Sequence, residues 1–169
     1  MLDQNSGPGA HSYGELTPLG FRNLCKRIAL YADDVFVDAG SGLGRIVLQA
    51  AKEYGVKRAL GVEYLVGRHA IAAAAAAREP YLPVRFVCDD CAARRLWTEP
   101  AAEPAAKGKA EKDAAADDGA FVGASVVFAC SLMFSTELMG RFARCIEACP
   151  TVRCVHAEAL PSKRADGFH

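Results

Sequence analysis

The stretch Val35-Phe36-Val37-Asp38-Ala39-Gly40-Ser41-Gly42-Leu43-Gly44-Arg45 decides the fold class of this 169-residue chain. Val35 to Val37 is a short apolar run closed by an aspartate, and it reads as a buried strand. Gly40, Gly42 and Gly44 then alternate with small or apolar residues. Glycine suits a turn that is tight and that a ligand approaches closely at the backbone. Arg45 to Lys52 follows as a helix, and Gly55 stops it in the usual C-terminal manner. A strand, a glycine turn and a helix make up the first half of a parallel βαβ unit.

The same alternation extends outward in both directions. Upstream, Thr17 and Pro18 form a helix start, with Thr as N-cap and Pro in the first turn. Leu19, Leu24, Ile28 and Leu30 continue it at roughly helical spacing until Asp33 and Asp34. Downstream, Arg58 to Val62 is a second strand closed by Glu63, and His69 to Arg78 an alanine-rich helix halted near Pro80. Val84 to Val87 is a third strand closed by Asp89 and Asp90. Ser125 to Ala129 is a fourth strand, Thr136 to Cys149 a helix, and Val152 to Val155 a fifth strand. Such alternation predicts an α/β sandwich: a parallel sheet, helices on both faces, strand order 3-2-1-4-5.

Composition narrows the class. Hydrophobic residues make up 51% and charged residues 24%, and Lys+Arg and Asp+Glu both number 20. A net charge of zero gives no general field toward phosphate, so strong autonomous nucleic-acid binding is not expected. No apolar run is long enough to span a bilayer, and the N-terminus lacks an apolar signal core, so no membrane association is expected. Seven cysteines, an odd number, fit reduced thiols in a cytosolic or nuclear compartment. Residues 1–12 are read as a flexible N-terminus, 13–160 as the folded domain and 161–169 as a tail. Within the domain, residues 100–119 contain almost only Ala, Pro, Lys, Glu, Asp and Gly, and are expected to form a disordered surface insertion.

Three carboxylates stand at successive strand ends: Asp38, Glu63 and Asp90. In open α/β sheets, ligands bind at that edge. The loop spacing is G-x-G-x-G, not the G-x-G-x-x-G of the dinucleotide fingerprint. Asp38 at its start disfavours a pyrophosphate and favours a cation. S-Adenosylmethionine carries an ammonium and a sulfonium, so it suits the loop, with NAD as the alternative. Glu63 would accept both ribose hydroxyls, and Asp90 the exocyclic amine of adenine.

Three segments carry a family resemblance: Tyr13-Gly14-Glu15, Val35 to Ala50, and Gly61-Val62-Glu63. Together they resemble the disruptor-of-telomeric-silencing family over about His11 to Ala157. The resemblance implies a Rossmann-like class I methyltransferase fold. It also implies S-adenosylmethionine-dependent N-methylation of lysine seventy-nine of histone H three in nucleosomes, in the nucleus. On that resemblance Tyr13 and Glu15 belong to a loop that folds over the cofactor, with Glu15 on its amino group. Asp38, Gly40 and Gly42 surround the methionine moiety, Glu63 binds ribose and Asp90 lies near adenine, with Trp97 close behind. Phe134 matches the last residue of the family's N-N-x-x-F segment. Cys130 and Ser131 replace its two asparagines, at the reacting end of the acceptor channel. Tyr13, Ser131 and Phe134 are therefore the candidate catalytic residues, and Leu132, Met133 and Phe134 candidates for an apolar channel wall. The family's final hairpin is expected to be truncated here. The alternatives are methylation of another protein or a small molecule, or a non-catalytic fragment that only binds the cofactor.

Other constellations carry less. Cys88 and Cys91 form a C-x-x-C, but no second pair at zinc-site spacing accompanies them, so they read as small core residues. His69 and His156 lack a neighbouring acid, Arg141 and Arg144 read as solvated, and Phe21, Phe128 and Phe142 read as core.

Overall fold

The computed structural model describes residues 16–98, 119–130 and 134–157. Helix α1 spans Pro18–Ile28, and its start follows the sequence signal: the Thr17 hydroxyl accepts the Gly20 N–H at 3.1 Å. Strand β1 is Val35–Ala39, helix α2 Arg45–Tyr54, strand β2 Arg58–Glu63, helix α3 Val66–Ala77 and strand β3 Val84–Cys88. A 3-10 turn at Arg94–Leu96 precedes strand β4 (Val126–Ala129), helix α4 (Thr136–Glu147) and strand β5 (Cys154–Ala157). The five strands form one parallel sheet in the order β3-β2-β1-β4-β5, as the alternation predicted.

Side-chain alternation along the strands divides the core into two layers. Phe36, Ala59, Val126 and Phe128 face Phe21 and Leu24 of α1 and Ile46, Val47 and Ala50 of α2. Val37, Ala39, Leu60, Val62, Val87 and Val127 face the other way, toward Trp97, Phe121 and, on α4, Phe142 and Cys145. β1 is buried at all of its positions because strands flank it and helices cover it. This explains why Val35 to Val37 reads as an unbroken apolar run instead of an alternation. Phe21, Phe128 and Phe142 are core residues, as read.

A polar network closes the end of the sheet opposite the glycine loop. Asp34, 4% exposed, accepts the Ser125 hydroxyl at 2.7 Å, the Tyr31 N–H at 2.8 Å and two bonds from the Arg153 guanidinium. Arg153 also donates to the carbonyl of Ala29 at 2.9 Å, and Ser125 Oγ accepts the Val35 N–H at 2.9 Å. The network thereby joins the end of α1 to the entries of β1, β4 and β5.

Two elements start more than one residue from where the sequence places them. α3 begins at Val66, a turn earlier than His69, because Leu65 stands at the N-cap with no capping side chain to announce the start. β5 begins at Cys154 instead of Val152. The Thr151 hydroxyl donates to Ala124 O at 2.7 Å and Val152 N–H to Cys149 O at 3.2 Å, which holds that stretch in a turn. The disordered insertion is expected over residues 100–119, of which 100–118 lie outside the described residues; so do the N-terminus, 1–12, and the tail, 161–169.

Candidate functional site

The site forms at the carboxyl ends of β1, β2 and β3. The N–H groups of Gly40 and Ser41 both donate to Val62 O at 2.9 Å, which turns the chain sharply off β1 and over the end of β2. Gly40 has φ of +82°, a region L side chains rarely adopt. The space a Cβ would fill there faces the Phe134 ring, whose Cζ would stand 3.2 Å away. Phe134, entering α4 from β4, therefore lies against the glycine loop. The helix behind it is fixed by Ser135, whose hydroxyl accepts the Leu138 N–H at 3.1 Å.

Glu63 is 6% exposed and fastens the loop to the sheet. Its Oε2 accepts the Gly42 N–H and its Oε1 the Leu65 N–H, each at 2.9 Å. Two backbone donors fix the plane of the carboxylate and leave one acceptor position on each oxygen. Asp38 is buried at the end of β1, in register with Gly61 of β2 and Phe128 of β4. Beneath the loop, Ser41 Oγ is buried with no hydrogen-bond partner among the described residues.

Asp90 begins the turn after β3. Its Oδ1 accepts the Ala92 N–H at 2.8 Å, and its Oδ2 an Arg141 N–H at 2.6 Å. Arg141 is thus not simply solvated, as its sequence position suggested: Phe142 and Cys145 bury one side of α4 and bring the guanidinium to the β3 turn. The carboxylate beside it raises the Arg141 pKa further, first by hydrogen bonding and then by charge. Trp97 is buried and donates from Nε1 to Cys91 O at 2.9 Å, and its ring meets Phe121 and Phe142 edge-on at 5.0 and 5.8 Å.

Asp38, Gly40, Gly42, Glu63 and Phe134 therefore gather at one edge, with Asp90 at the neighbouring strand end. Tyr13, Glu15, Ser131, Leu132 and Met133 lie outside the described residues. Arg141 is the residue the sequence reading missed. Its spacing of one helical turn from Cys145 was a visible signal, but its partner is 51 positions away. Cys88 is exposed and Cys91 buried. Burial, then the charge of Asp90, pushes the Cys91 thiol up to about 12. Among the described residues no group of three or more His, Cys, Asp or Glu is placed to hold a metal ion. His156 stacks on Phe128, with ring centroids 6.0 Å apart and planes 5° from parallel. No helix among the described residues is long and apolar enough to cross a membrane.

Comparison with known proteins matches residues 2–81 to the model of the histone methylation protein DOT1. The matched segment is a little under half of the chain. The matched segment includes the glycine loop, Glu63 and Tyr13-Gly14-Glu15, which carry the resemblance seen in the sequence. Among curated relatives, the H3 lysine-79-specific histone-lysine N-methyltransferase of Emericella nidulans is 51% identical over 43 residues, 25% of this chain and 9% of that protein. Its Kluyveromyces lactis counterpart is 40% identical over 53 residues, 31% of this chain and again 9% of the relative. The chain thus spans about a tenth of the length of these relatives. Solved structures share the class I methyltransferase fold. A methyltransferase from Thiobacillus denitrificans, in complex with S-adenosyl-L-homocysteine, aligns over 87% of this chain and 51% of its own, with a TM-score of 0.56 and 16% identity. The cyclase SpnF aligns over 87% of this chain and 45% of its own, at 0.53 and 21%. A cyclase among these neighbours shows that the fold alone does not fix the chemistry.

Proposed function

We propose that this chain binds S-adenosylmethionine at the glycine-loop edge and transfers its methyl group to a protein lysine, with lysine seventy-nine of histone H three in the nucleosome as acceptor and the nucleus as its compartment. The observation that carries this reading is Glu63, held by the N–H groups of Gly42 and Leu65 at the end of β2. A buried carboxylate with one open acceptor position on each oxygen suits a vicinal diol such as ribose. The rest of the edge fits the same ligand: Asp38 for a cationic amino-acid end, and a glycine cradle without side chains.

When bound, S-adenosylmethionine supplies a methyl group on a sulfonium that is already a good leaving group. The chain's own work is then to align two reactants and exclude water, a source of rate that needs no strong acid or base. The lysine must reach the site as a neutral amine, and an apolar wall disfavours its ammonium form. Phe134, packed against Gly40, supplies such a surface at the loop. Ser131 and Tyr13 are proposed to complete the acceptor end, with Glu15 on the cofactor's amino group.

Calorimetry with S-adenosylhomocysteine and with NAD tests the ligand. Micromolar binding of the first and none of the second is the expected result; the reverse overturns the cofactor. Radiolabelled methyl transfer to nucleosomes, free histones and a cell extract tests the acceptor. Label on histone H three in nucleosomes supports the reading. Label on one non-histone target with bare histones assigns a different acceptor. The replacement of two asparagines by Cys130 and Ser131 favours slow transfer, because a hydroxyl offers fewer bonds than an amide.

A further inference from the structure

We infer that Arg141 is a positioning residue for base recognition, fixing the Asp90 carboxylate so that the site selects a 6-aminopurine over a 6-oxopurine. The inference rests on the proposed adenosyl ligand and concerns residues outside the segment matched to the DOT1 family.

Three successive residues of the turn after β3 are each tied to the layer behind them. Asp90 Oδ2 accepts from Arg141 at 2.6 Å, Cys91 O from Trp97 Nε1 at 2.9 Å, and Ala92 O from the Cys145 thiol at 3.5 Å. Arg141 and Cys145 are one turn apart on α4, so a single helix face grips the turn at two points. That helix is anchored between them by Phe142, 1% exposed and in edge contact with Trp97. Opposite the guanidinium, the Ala92 N–H holds the other carboxylate oxygen at 2.8 Å. The Asp90 side chain is thus restrained from both ends, and each oxygen keeps an acceptor position.

Base selection follows from that restraint. An exocyclic amine donates to a carboxylate, whereas a 6-oxo group presents a second acceptor and is repelled. A carboxylate free to rotate would yield to the oxo group by turning away, so discrimination depends on how firmly it is held. The ion pair itself contributes little to folding, since the Arg141 side chain is 44% exposed. Its effect belongs in selectivity, and the two are separable.

Calorimetry with S-adenosylhomocysteine and S-inosylhomocysteine on the full chain, alongside thermal melting, tests this. Wild type should prefer the adenosyl compound. Arg141→Gln should shrink that preference by about three- to tenfold, the range of one hydrogen bond, with little change in melting temperature. Arg141→Lys should restore most of it, and Asp90→Ala should abolish it. An Arg141→Gln variant that keeps the wild-type preference overturns the role of Arg141 and leaves the cofactor reading standing. Wild type that binds neither compound overturns both.

Discussion

Glu63 shows how much one side chain can do at this edge. It closes the glycine loop onto β2 through the Gly42 N–H and also holds the Leu65 N–H. Glu63→Ala should therefore lower affinity for S-adenosylhomocysteine by roughly 1.5–3 kcal/mol, the usual worth of a hydrogen bond to a charged group, as read by calorimetry. The same variant orphans two backbone donors, so its melting temperature should fall even without ligand. The local signals at this scale were legible in the sequence: glycine where φ is positive, and an acid at the end of β1, of β2 and of β3. The Asp90–Arg141 pair was not, because charges distant in sequence leave no periodic trace. Cysteine chemistry follows burial. Alkylation at neutral pH should mark exposed Cys88 and spare Cys91, whose thiol stays protonated; mass spectrometry of the labelled chain checks this.

At the scale of elements, Gly61 explains how β2, β3 and the loop come so close. A Cβ at Gly61 would stand 2.6 Å from the Phe86 ring and 2.7 Å from Ser41 Oγ. Phe86 of β3 thus lies across the spot that glycine leaves open. Gly61→Ala should destabilise the fold by about 1–3 kcal/mol in urea unfolding, the cost of overpacking. Pairing it with Phe86→Leu should recover part of the loss, because the two sites share one space. Strands and their order were readable from apolar runs punctuated by turn residues. The start of α3 was not, since Leu65 carries no capping group, and β5 was misplaced because Val152 looks like a strand residue but sits in a turn held by Thr151.

Across the whole molecule, Asp34 and Arg153 lock the end of the sheet away from the site. Burial alone would raise the Asp34 pKa, but the bonds from Arg153, the Tyr31 N–H and Ser125 together outweigh it and lower it. A carboxylate with a lowered folded-state pKa contributes stability above its unfolded value, near ~3.9, and loses it as pH falls through the folded value. Urea midpoints should therefore decline below about pH 4 in the wild type. Asp34→Asn should be less stable by about 1–3 kcal/mol at neutral pH and show a shallower acid decline. Trp97, the chain's single tryptophan, is wedged between Phe121 and Phe142 and bonded to the turn that carries Asp90. Its intrinsic fluorescence has one address in the molecule. A blue emission reports that the α4 layer is seated, and a change on adding a nucleoside reports engagement beside the β3 turn, without any attached dye.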